Sequence, residues 1–175
     1  MTKLNYPLLL VLSAALFISA CKKDKKKEPA IDEKNLTTCP AGANCEYLFT
    51  EYADVSNNGA LKAGGYRLFW NTAERPGIKN QIFIKAPVNK QSFELSANDI
   101  QQGKVLTITS CSVCNTIPFK PVGGWVKGKN TTPNVAADKA KWLVEATIYQ
   151  EAENDASIKD TITLKQYFNA NFVIN

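Results

Sequence analysis

The sequence predicts an all-β domain. Three observations carry that prediction: runs of β-branched and aromatic residues, turn residues between them at intervals of about eight to twelve, and no long stretch with a helical period. An antiparallel sandwich of the Ig-like kind, with about seven to eight strands, fits this pattern, and a small up-and-down β-barrel is the alternative.

Residues 46–55 form the first expected strand, ending at Ser56-Asn57-Asn58-Gly59, where Asn-Gly supplies the positive φ values of a tight turn. Residues 65–70 follow and lead to a turn centred on Pro76-Gly77, in which proline presets φ and glycine takes the left-handed position. Residues 81–86 are next, then Phe93-Glu94-Leu95. Residues 96–103 have a capping serine at the start and glycine at the end, which allows one short helical turn and no packed helix. Residues 104–110 alternate, with Leu106 and Ile108 on one face and Val105, Thr107 and Thr109 on the other, and run into a Cys-Ser-Val-Cys turn.

Residues 123–129 and 141–150 read as a pair joined by the polar loop 130–139. In the second, Trp142, Val144, Ala146 and Ile148 share one face, and Leu143, Glu145, Thr147 and Tyr149 share the other. In residues 161–173 the inward set is Ile162, Leu164, Phe168, Ala170 and Phe172, while Lys165, Tyr167, Asn169 and Asn171 point out. Such alternation belongs to a sheet with one face on a core and one on water.

Ahead of this domain the chain has a different character. Lys3 precedes an apolar run over residues 8–18, followed by Ser19 and Ala20, which is the layout of a secretory signal. The run is too short to span a bilayer, which takes about 20 apolar residues. Ile18-Ser19-Ala20-Cys21 resembles the lipobox of bacterial lipoproteins, in which a branched apolar residue and two small ones precede a cysteine. The resemblance implies cleavage after Ala20, diacylglycerol on the Cys21 sulfur and usually an acyl group on the new amino terminus. Two or three acyl chains anchor stably, each buried CH₂ contributing about 0.8 kcal/mol. The expected division is therefore a lipoprotein signal peptide over 1–20, a disordered lysine-rich tether over 21–38 and a single β domain over 39–175. The Lys-Lys-Asp start of the tether is similar to that of lipoproteins from the Bacteroidota. Only Asp24 is acidic before the charge turns positive, so the expected place is the outer membrane, with the periplasmic face and the cell surface both open.

The formal net charge of +5 belongs mostly to the leader and tether, since residues 39–175 hold 14 Lys and Arg against 12 Asp and Glu. A nucleic-acid binder carries a basic stripe on the domain itself, so that class is excluded. The chain has no histidine, which removes Ser-His-Asp and Cys-His catalysis and most zinc, copper and iron sites. No glycine-rich phosphate loop is present: Gly64-Gly65 and Gly123-Gly124 lack the helix that must follow one. No cofactor is expected.

Beyond Cys21 the cysteines are Cys39, Cys45, Cys111 and Cys114. In an oxidising envelope an even count reads as two disulfides, and spacing favours Cys39–Cys45 and Cys111–Cys114 over the crossed pairings. A redox role for the Cys111-Ser112-Val113-Cys114 dithiol needs a helix to lower a thiol pKa, and Asn115-Thr116-Ile117-Pro118 cannot begin one. A four-cysteine zinc site is the remaining alternative. Among the carboxylates Glu46, Glu51, Glu94, Glu145 and Glu151, nothing singles out a catalytic pair. Trp70 and Trp142 fall inside alternating strands and read as core, whereas Trp125, beside Gly124, is the candidate for an exposed stacking platform. Asp160-Thr161-Ile162 looks like the short O-glycosylation pattern of Bacteroidota proteins.

These residues lead to a non-enzymatic domain, held to the membrane by its lipid, that binds an envelope component such as a protein or a glycan. A carbohydrate- or small-ligand-binding accessory lipoprotein and a thiol-redox protein are the two alternatives.

Overall fold

The computed structural model describes residues 29–112 and 117–172. The signal region, Cys21 and Cys114 lie outside them. The strands are β1 (Asn44–Val55), β2 (Leu61–Ala63), β3 (Tyr66–Arg75), β4 (Ile78–Pro87), β5 (Ser92–Leu95), β6 (Val105–Cys111), β7 (Phe119–Asn130), β8 (Lys141–Ala152) and β9 (Asp155–Ala170). They form one sheet in the order β5-β7-β8-β9-β1-β3-β4-β6, with β2 paired to β1 alone.

The fold is all-β, as the alternation requires. The sheet is open and does not close into a barrel: its outer strands, β5 and β6, are not hydrogen-bonded to each other. It divides into two antiparallel halves that lay their inner faces on one core, in the manner of a sandwich. One contribution comes from Phe49, Phe69 and Ile84, the other from Trp142, Val144, Leu164 and Phe168. The join is, among the described residues, the one pairing that is not antiparallel, a short parallel contact in which Leu48 faces Asn169 and Phe49 faces Ala170.

Within the first half, successive rows of the inner face run straight across four strands. Phe49, Phe69, Ile84 and Val105 are neighbours in register and form the floor of the core. Trp142 stands edge-on to Phe69 at 5.5 Å between centroids, within the favourable range for aromatic pairs. The chain then changes faces within β1. A bulge places Glu51 and Tyr52 together opposite Arg67, with Tyr52 at a φ of 56°, so that Ala53 and Val55 face outward instead of inward. There they join Leu68, Trp70 and Phe83 in a second cluster on the outer face. The β1–β2 turn lies over that cluster: Gly59, at a φ of 84°, sits where a Cβ would meet Ile108, Gln81 and Phe83. This explains why Leu106 and Ile108 are half-buried although they face away from the main core.

Turn chemistry follows the sequence at Pro76-Gly77 and at Ser96, whereas in Asn58-Gly59 only the glycine takes a positive φ. Pro76-Gly77 joins β3 to β4, with Gly77 at a φ of 80°. Ser96 caps the short turn Ala97–Asp99 reciprocally with Asp99, and the widened turn Ile100–Lys104 that follows puts Ile100 in the core. Three expectations are corrected. Phe172 is 42% exposed instead of inward, because it lies beyond the last paired residue of β9. Trp125 is half-buried, with the Lys127 ammonium 5.4 Å from its ring, and is not an open platform. Residues 29–38, read from composition as the end of the tether, lie on the sheet.

That strap is held by charge and backbone more than by apolar area. Ile31 is buried, and Thr37 exchanges hydrogen bonds with the backbone of Lys165 at 2.8 and 2.7 Å. The Lys165 ammonium joins Asp32 at 2.7 Å and Glu145 at 3.1 Å. Lys129 donates to the Ile31 carbonyl at 2.8 Å. A composition count registers these residues as hydrophilic and misses that their partners wait on β7, β8 and β9.

Candidate functional site

The two ends of the folded sheet differ. At one end Arg67 closes the core. Its guanidinium lies 4.2 Å over the Trp142 ring, donates from Nε to Glu51 at 2.9 Å, and donates to the carbonyls of Val88 and Lys90 at 2.6 and 2.8 Å. At the other end the halves separate and leave a cleft of about 870 Å³ that reaches round β6 as far as Asn57.

The cleft follows from the register. One row below the aromatic floor, Tyr47, Asn71, Ile82 and Thr107 are direct neighbours across β1, β3, β4 and β6. One row further, Cys45, Ala73, Asn80 and Thr109 follow. Side chains thus pass from large aromatic, through mixed polar and aliphatic, to small and polar, and the space between the halves opens as they do. The facing wall comes from Gln150 on β8 and from Ile162 and Leu164 on β9. The sides are residues 37–40 and residues 117–121.

Polar groups inside the cleft are neutral. Gln150, 5% exposed, accepts a hydrogen bond from the Thr107 hydroxyl at 3.0 Å through Oε1. Among the described residues nothing accepts from its Nε2. Asn71, 8% exposed, donates from Nδ2 to the Glu46 carbonyl at 3.2 Å, and its Oδ1 is left as an acceptor on the cleft side. Tyr47 packs its ring edge-on against Phe168 at 5.7 Å, and burial pushes its phenol above the usual range, which keeps it protonated. The charged lining residues, Lys120, Glu153 and Asp160, are all exposed at the rim.

The cysteines sit beside this opening. Cys39 and Cys45 are bonded to each other and hold the loop that walls one side. Cys111, at the end of β6, is also in a disulfide, and its partner lies outside the described residues. Cysteines bonded in this way are not thiolate ligands for zinc, and residues 117–118 lead directly into β7. The five candidate carboxylates are not brought together. Glu51 is held by Arg67, Glu94 by Lys127, Glu145 by Lys165 and Glu151 by Lys159, while Glu46 is exposed on β1. Trp70 and Trp142 are core, as expected. In Asp160-Thr161-Ile162, Thr161 is exposed and turns away from the cleft that its two neighbours line.

Sequence reasoning missed Tyr47, Asn71, Thr107 and Gln150 as a group. The available signal was phase: Gln150 continues the face of Trp142, Val144, Ala146 and Ile148, and Asn71 continues that of Phe69. An amide in phase with a core face marks where the core stops. The chain matches no family model, no curated protein and no solved structure.

Proposed function

We propose that this chain is a lipid-anchored lipoprotein of the outer membrane whose β domain binds a small uncharged ligand, without catalysis, in the cleft at the open end of its sheet. The cleft carries the reading. Its lining combines aliphatic walls with a few convergent hydrogen-bonding groups, the pattern of small-molecule sites. Concavity favours a small molecule or a glycan of the envelope over a globular protein partner. The lipobox-like Ile18-Ser19-Ala20-Cys21 supports the anchor.

Two measurements test the two parts. Cys21→Ser is expected to leave the membrane fraction after a carbonate wash, and retention there refutes the anchor. Ala73→Trp, which places an indole in the cleft, is expected to abolish saturation-transfer NMR signals from a small-molecule library that the parent chain shows. Unchanged signals refute the cleft as the site.

A further inference from the structure

We infer that the cleft takes a neutral saccharide, a reading that rests on the cleft being the ligand site. Three ligand classes could enter it, and the lining separates them. A charged ligand would leave water for a cavity whose interior, among the described residues, holds no counter-charge. The rim carries one cation and two anions, all exposed, so it selects for neither sign. A purely apolar ligand, such as an acyl chain, would cover the Gln150 amide nitrogen and the Asn71 amide oxygen without partners, and each group covered in this way carries a penalty of about 1–3 kcal/mol.

A neutral sugar meets both requirements. Its hydroxyls donate and accept, so they complement a free amide N–H₂ and a free amide oxygen in one cavity. Its C–H faces need an apolar surface, which Ile82 and Ile162 supply together with the Tyr47 ring. The amides are held in place before any ligand arrives: Thr107 fixes Gln150 through its oxygen and so directs the nitrogen, while the Glu46 carbonyl fixes Asn71 through its nitrogen and so directs the oxygen. Each side chain uses one end on the protein and keeps the other for the cleft. Positioning of this kind limits the ordering cost of binding.

The test is calorimetry and saturation-transfer NMR on the Cys21→Ser chain with neutral trisaccharides (maltotriose, cellotriose, tri-N-acetylchitotriose), trigalacturonate and dodecanoate. At least one neutral trisaccharide is expected to bind while trigalacturonate and dodecanoate do not. Gln150→Met is expected to weaken that binding at least tenfold, with Asn71→Leu as the second variant, each checked for a parent-like thermal transition. Binding of dodecanoate or trigalacturonate alone overturns the saccharide and leaves the cleft as the site. Binding of none of the probes overturns both. Binding of a neutral trisaccharide that neither variant weakens overturns the assignment of the amides.

Discussion

Arg67 allows the sharpest test of how the closed end of the sheet is built. Replacing it with methionine keeps most of the side-chain volume over Trp142 but removes all the donors. Glu51 would then hold a carboxylate with 19% side-chain exposure and no cation, and the carbonyls of Val88 and Lys90 would lose their guanidinium partner. Removing one member of a buried pair costs about 3–5 kcal/mol, chiefly because the other charge is stranded. Partial exposure of Glu51 places the expected loss near the lower end, about 3 kcal/mol. Urea unfolding followed by tryptophan fluorescence should report this as a lower midpoint at unchanged slope, and thermal unfolding as a fall of roughly 10 °C. The double variant Glu51→Leu, Arg67→Met removes both charges and is expected to recover at least half of the loss. A loss below about 1 kcal/mol in the single variant, or a double variant no more stable than it, refutes the account.

Three further outcomes are expected. Thr50→Val removes a buried hydroxyl that has no partner among the described residues, so stability should be unchanged or up to about 1 kcal/mol higher by urea unfolding. Gly128→Ala drives a Cβ into the Phe93 ring and should cost about 1–3 kcal/mol by the same assay. The strap should answer to pH at both extremes. Lys165 holds the Asp32 carboxyl below its ordinary 3.8, so its contribution is complete above that value and lost as pH falls below it. Asp32 in turn holds the Lys165 ammonium above its ordinary 10.5, so that contribution is complete below this value and lost as pH rises past it. Hydrogen-exchange protection of the Thr37 amide, corrected for intrinsic rate, is expected to be flat between these limits. A loss of protection between pH 5 and 8 would contradict the assignment.

Strands and turns were legible because alternation and turn chemistry are local. Trp142, Val144, Ala146 and Ile148 declare a buried face by spacing alone, and Pro76-Gly77 declares its hairpin. What escaped is set by register. Asn71 and Thr107 look like ordinary polar strand residues until Ile82 is seen between them, joining them in one row that ends at Gln150. The strap escaped for a related reason: Asp32 and Thr37 are hydrophilic by composition, and only the fold puts Lys165 opposite both. The bulge at Tyr52, which moves Ala53 and Val55 to a second cluster, has no signature in the identity of Tyr52.

The parallel contact between β1 and β9 also governs the order in which the chain can become complete. β1 meets β3 across a short connection, but Leu48 and Phe49 also wait for Asn169 and Ala170, far later in the chain. Until then Phe49 and Phe69 lack Phe168, and the aromatic floor stays open. Loop closure over such a span is slow. The half that is made first therefore cannot finish its core before the half that follows has arrived.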